Sequence, residues 1–202
     1  MVFIMEIVMT DFSKKITYTG HQIHPLWALD KHAVAGDSII IFRGPMKVPL
    51  DEMIDLQDIA REKDLADILI SGDDCLHFII ELFDTQPASL RIAYHRLHLL
   101  CFIVKTILDE KHGIKLVKKG TDLYHNERKL NVGIATTSNN SMKIHFGLNI
   151  ISTGVPSYVK AIGLHDLKPK MNLQTVATTI AHGFKEELEA IEKDIIKTKT
   201  FQ

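Results

Sequence analysis

The sequence predicts an α+β fold, a mixed and largely antiparallel sheet with helices packed on one face. Three observations lead there. Strand-like segments cluster through the middle of the chain with helical segments before and after them, unlike the pattern of a doubly wound sheet. Two long segments repeat apolar residues at three- and four-residue steps. No glycine-rich strand-to-helix turn of the dinucleotide or phosphate-loop type is present.

Taken in order, Val2 to Met9 is apolar but interrupted by Glu6, too short to span a bilayer, and without the basic leader or small-residue cleavage site of a signal peptide. It reads as a first strand. A shorter helix is expected near Ala28 or between Leu56 and Ala66, and strands over Ser38 to Arg43, Ile68 to Ser71 and Leu76 to Leu82. Leu90, Ala93, Leu97, Leu100, Val104, Ile107 and Leu108 then share one helical face, with Pro87 suited to the first turn and Gly113 to the exit. That helix is expected on the apolar face of the sheet. Strands follow at Ile114 to Lys118, Asp122 to His125, Leu130 to Thr136 and Met142 to Ile150. After Pro169, the spacing of Leu173, Val176, Ile180, Phe184, Leu188, Ile191 and Ile195 predicts a long amphipathic helix. Its stripe fits packing within the monomer or against a second copy, so a homodimer is open.

Composition bounds the answer further. A chain of 202 residues with 46% hydrophobic content is expected to form one domain over 1–202 that folds without disulfides or a structural metal. The 24 basic residues against 25 acidic ones leave no overall charge to attract nucleic acid or anionic lipid, and the cluster Lys111 to Lys119 reads as solvated surface. Cys75 and Cys101 lie in or beside apolar runs and read as buried thiols of a reducing compartment, so the chain is expected in the cytoplasm with no membrane partner.

Candidate functional residues concentrate between Val117 and Ile150. From Met142 the alternation is strict, with Met142, Ile144, Phe146, Leu148 and Ile150 on one face and Lys143, His145, Gly147 and Asn149 on the other. Upstream, Leu130, Val132 and Ile134 share a face opposite Lys129, Asn131 and Gly133. Glycine on the polar face removes a side chain that would block a ligand, which makes this face the floor of a small-molecule site; an ordinary wet sheet face gives the same pattern. Lys129 follows the turn His125 to Arg128, placed to project its ammonium toward Asp122 and Asn149. His77 and Glu81 share a face of the Leu76 to Leu82 strand, as an oriented base or as a structural pair. Eleven histidines include His21-x-x-His24 and His95-x-x-His98, but a pair alone does not supply a metal's three or four ligands, and no metal is expected.

Three short motifs carry a resemblance. Lys118-Lys119-Gly120-Thr121-Asp122 resembles the Lys-Trp-Pro-Asn-Asp motif of biotin and lipoate protein ligases, Lys129-Leu130 the start of their Lys-Leu-Ala-Gly-Ile strand, and Gly147-Leu148-Asn149-Ile150 their Gly-Ile-Asn-Val strand, in the same order. The whole chain resembles more closely a mainly archaeal family of unknown function, through Tyr18-Thr19-Gly20, Gly36 to Pro45 and Leu76 to Glu81.

The ligase resemblance implies the fold shared by class II aminoacyl-tRNA synthetases and biotin synthetases, in which a mixed sheet binds an acyl-adenylate. It implies ATP and Mg²⁺ as cofactors, Lys129 as the cation on the carboxylate and the α-phosphate, and Asp122 and Asn149 as residues that orient the nucleotide or its Mg²⁺. Lys118, Asn131, His145, Gly147, His77 and Glu81 complete the expected substrate-binding set. The chain departs from the ligases in having no glycine between Leu82 and Arg96, where they carry a Gly- and Arg-rich loop. It departs from octanoyltransferases in having no cysteine between Ile151 and Leu167. The expected activity is acyl or nucleotidyl transfer on a small carboxylic acid or nucleotide. The competing reading is a non-catalytic module that binds a small molecule or an RNA end, and a metal-dependent hydrolase using His21, His24, His77 or His145 is the third.

Overall fold

In the computed structural model, which describes residues 5–56, 59–60 and 70–200, five strands form one sheet in the order β1-β2-β3-β8-β7. They are β1 (Glu6–Met9), β2 (Ser38–Val48), β3 (Ile70–Leu82), β7 (Asn131–Thr137) and β8 (Met142–Asn149). Only β1 and β2 run parallel; the other pairs are antiparallel, so the sheet is mixed. A small second sheet joins β4 (Val117–Lys119), β5 (Asp122–His125) and β6 (Arg128–Lys129). Asn126 and Glu127, both with positive φ (46° and 64°), make a two-residue hairpin turn between β5 and β6.

Helices α2 (Leu90–His112) and α4 (Leu173–Ile196) follow the predicted stripes. Ser89 caps α2 by accepting from Ile92 N, and Gly113 ends it in the left-handed conformation that glycine tolerates best. Asn172 caps α4 by accepting from Thr175 N at 3.0 Å. The buried faces of both helices join Ile39, Ile41, Leu76, Phe78, Ile80, Ile144, Phe146 and Leu148 in the larger core. The stripe of α4 runs past its cover, since Ile191, Ile195 and Ile196 are exposed. Pro87 lies before α2 rather than in its first turn, and α3 is a short piece, Leu164–Leu167.

The opposite face of the sheet is also buried. Ile40, Phe42, Cys75 and Ile79 pack there against Tyr18, Ile23 and the short helix α1 (Trp27–His32). This explains why β2 and β3 read as near-continuous apolar runs. Both strands are longer than the sequence suggests, because Gly44-Pro45 and Gly72-Asp73-Asp74 look like turns. Instead the ladder continues through an irregularity between Gly44 and Met46. There Arg43 donates to buried Asp74 (Nε to Oδ1, 3.0 Å), joined by Lys15 at 3.2 Å. A Cβ on Gly44 would stand 2.0 Å from the Ile16 carbonyl oxygen. Gly44→Ala is therefore expected to cost at least about 2 kcal/mol, read as a lowered denaturation midpoint in urea. The helix expected between Leu56 and Ala66 falls mostly outside the described residues. No helix among the described residues is long and apolar enough to cross a membrane.

Candidate small-molecule site

The face of the sheet away from α2 opens into a cavity of about 480 Å³, within the range of small-ligand sites. Its walls include Met46 and Val48 on β2, Val132 and Ile134 on β7, Val155, Pro156 and Val159 after β8, and Tyr18, Ile23 and the segment from Glu52 to Asp55. Lys129, Asp122 and Asn149 give it a polar end.

That polar end forms where the small sheet meets the segment after β8. The Lys129 backbone is pinned to the segment after β8, donating to Lys160 O at 2.7 Å and accepting from Ile162 N at 2.9 Å. The Lys129 ammonium lies 2.9 Å from Asp122 Oδ1, and each side chain keeps about a third of its surface exposed (31% and 27%). The Tyr124 hydroxyl donates to the other Asp122 oxygen at 3.1 Å. Asn149 does not reach the ammonium. Its Nδ2 donates to the carbonyl oxygens of Lys129 (3.4 Å) and Ile162 (3.3 Å), so it clamps the strand that presents Lys129.

The register of β7 on β8 corrects the expected arrangement of faces. Val132 stands opposite Gly147 and Ile134 opposite His145, whereas Asn131 and Gly133 stand opposite Leu148 and Phe146. The apolar pair therefore walls the cavity. The alternation slips at Leu130, which lies between β6 and β7 and is buried in the helix-side core. Asn131, also in the cavity lining, uses its side chain to hold the β5 segment, accepting from Leu123 N at 2.7 Å and donating to Thr121 O at 3.0 Å. Gly133 lets Leu97 of α2 pack close, with 3.2 Å from Leu97 Cδ1 to a notional Cβ.

His77 and Glu81 do not meet each other; each pairs across to β8. The His77 Nδ1 is 3.0 Å from His145 Nε2, and its Nε2 is 3.1 Å from Gly44 O. A carbonyl only accepts, so His77 Nε2 carries the proton and Nδ1 accepts from His145 Nε2–H. His145 Nδ1 is thereby left as an acceptor, and the ring lines the cavity beneath Tyr18, stacked at 3.6 Å between centroids. Gly147 leaves room for this pair, a Cβ there lying 3.3 Å from His145 Nε2. Glu81 is ion-paired with buried Lys143 and accepts from Ser141 Oγ at 2.9 Å. Lys118 lies away from the cavity, with its ammonium on Gly120 O (2.6 Å) and His98 Nδ1 (3.1 Å). Tyr18 was visible in the sequence only as part of a family motif, and nothing in its spacing marks it as the lid on His145.

Burial lowers the pKa of His77 to about 4, and that of His145 well below the usual imidazole value of 6.5, helped by neighbouring His77. Both rings are neutral in the fold at pH values where free imidazole charges. Stability is thus complete above about pH 6.5 and falls as pH drops toward 4, because the unfolded chain takes up protons that the core refuses. For His77 this amounts to roughly 3 kcal/mol. Urea unfolding followed by Trp27 fluorescence is expected to show this loss, with a shallower pH slope in His77→Gln.

The mixed sheet with its two long helices has a fold similar to that of biotin and lipoate protein ligases. An apo biotin protein ligase from Aquifex aeolicus aligns over 95% of this chain and 72% of its own, with TM-score 0.58 and 15% identity. A putative lipoate protein ligase from T. acidophilum with bound lipoic acid covers 91% of this chain and 85% of its own, with TM-score 0.51 and 14% identity. At such identities the likeness is one of fold.

The chain belongs to the domain-of-unknown-function family DUF366, which it matches over residues 5–199. An uncharacterised protein of Methanocaldococcus jannaschii is 42% identical over 184 residues, covering 91% of this chain and 80% of its own. A protein of unknown function from Pyrococcus horikoshi is similar in structure, with TM-score 0.89 and 35% identity over 98% of this chain and 100% of its own.

Proposed function

We propose that the cavity binds a small carboxylic acid with an apolar body, with Lys129 as the partner of its carboxylate. One observation carries this reading: a partly exposed ammonium, aimed by Asp122, stands at one end of a cavity whose lining also includes the apolar side chains of Met46, Val48, Val132, Ile134, Val155 and Val159. A cation so placed forms a charge-assisted bond to a carboxylate and stabilises negative charge that develops when the carboxyl group reacts. His145 Nδ1 offers a second, neutral contact to a donor on the ligand.

The ligase fold supports acyl or nucleotidyl transfer as the activity built on this site. The Aquifex ligase itself has been solved with biotin and ATP. The residues that line the cavity here do not fit a triphosphate, however, since the described lining offers one ammonium, Lys129, against the carboxylates of Glu52, Asp55 and Asp122. Nor is a thiolate at hand: burial pushes the Cys75 thiol up to about 12, and its Sγ donates weakly to Asn149 Oδ1 at 3.7 Å. These two features favour the second reading, a non-catalytic small-acid binding module on the same fold.

Pyrophosphate exchange into ATP, run with biotin, lipoate, octanoate and amino acids beside direct binding of the same acids, separates the readings. Saturable binding without exchange supports the module. Exchange with one acid that vanishes in Lys129→Ala establishes a transferase, and absence of any acid binding removes the site itself.

A further inference from the structure

Three side chains with metal-ligating atoms converge at the rim of the cavity. His21 opens a 3-10 turn (His21–Ile23), His24 closes it, and Glu52 ends a second one (Leu50–Glu52). One ligating atom from each lies within 4.8 Å of the other two, and His24 Nε2 is 2.7 Å from Glu52 Oε2. We propose that His21, His24 and Glu52 bind one divalent transition-metal ion, Zn²⁺ by the chemistry of the donors.

Two imidazoles and a carboxylate form a recurrent three-ligand zinc set that leaves a fourth position open. Ligands about 2 Å from a shared ion lie roughly 3.3 Å apart, so small side-chain rotations bring these three onto one ion. His24 is 48% exposed at its side chain and Glu52 26%, which leaves the ion a path from solvent.

The backbone that carries the histidines is held from beneath. Buried Gln22 accepts from Thr19 N at 3.0 Å and donates to Thr17 O at 2.9 Å, and Ile23 is buried in the cavity-side core. The His24 carbonyl accepts from the buried Lys143 ammonium at 3.1 Å. The two turns are brought together by Gly20, at φ +96°, where a Cβ would stand 2.8 Å from Glu52 Cβ. Ligands set on an anchored backbone lose less freedom on binding than histidines scattered on a mobile surface. Glu52 and Ile23 also line the cavity, so the ion sits at its mouth and adds positive charge where the lining is rich in carboxylates.

The test is calorimetric titration of the metal-stripped full chain with Zn²⁺, beside His21→Ala, His24→Ala, Glu52→Gln and, as a surface control on α2, His95→Ala. One ion per chain is expected, bound at least about tenfold more weakly in each ligand variant and unchanged in His95→Ala. Circular dichroism checks each fold, and Glu52→Gln keeps the shape of the site if a histidine variant unfolds. Visible absorption of the Co²⁺-loaded protein should be present in the wild type and lost in the folded ligand variants. Sub-stoichiometric binding, or an affinity that His21→Ala and His24→Ala leave unchanged, overturns the proposal and reduces the cluster to a His24–Glu52 surface pair.

Discussion

Truncation of Lys143 to alanine is expected to lower the thermal midpoint by roughly 6–20 °C. Lys143 and its partner Glu81 are 2% and 5% exposed at their side chains, and they face each other directly across β3 and β8. The ammonium also donates to His24 O at 3.1 Å, and Glu81 accepts from Ser141 Oγ. Desolvation pulls the Lys143 pKa below its ordinary value, opposed by the Glu81 carboxylate that holds it charged. Loss of the lysine leaves a carboxylate buried without its counter-charge, which costs about 3–5 kcal/mol. For a chain of this size that corresponds to the stated shift, at about 2–4 °C per kcal/mol. The double variant Lys143→Met, Glu81→Leu is expected to recover most of the loss, since it removes both charges and fills the space. A shift of less than 2 °C in Lys143→Ala would show that water already reaches the pair.

Lys129→Ala is expected to do the reverse, with a large effect on ligand affinity and little on stability. A hydrogen bond to a charged partner is worth about 1.5–3 kcal/mol, so carboxylate affinity should fall roughly tenfold to a hundredfold. The thermal midpoint should move by no more than about 4 °C. The Lys129–Asp122 pair is about one-third exposed, and pairs of that kind contribute about 0–1 kcal/mol. What Lys129 does for the fold it does through its backbone, which bonds to Lys160 and Ile162 whatever the side chain. Parallel titration calorimetry and thermal melts check both halves; a collapse in stability would make the ammonium a structural group.

Periodicity made the frame legible. The stripes of α2 and α4 and the alternation of β8 depend on which side chains must leave water, and local sequence records that directly. The hidden parts depend on partners distant in the chain. His77 and Glu81 stand two residues to either side of Ile79 on one face of β3, but each is satisfied by β8, and only the antiparallel register reveals His145 and Lys143 as the partners. In the sequence, Val132 and Ile134 continue the apolar face begun by Leu130, because nothing in that alternation signals the step lost between β6 and β7. Lys129 and Asp122 were visible as neighbours across a hairpin. Glu52 beside His21 and His24 was not, because it arrives from another loop, admitted by the missing side chain of Gly20.

The most direct test of the proposed site compares one carboxylic acid with its primary amide. An apolar-bodied acid such as octanoate or lipoate should bind the wild-type chain saturably and its amide at least about tenfold more weakly. In Lys129→Ala the two should bind alike. Equal binding of acid and amide by the wild type, or an unchanged preference for the acid in the variant, would contradict Lys129 as the carboxylate's partner.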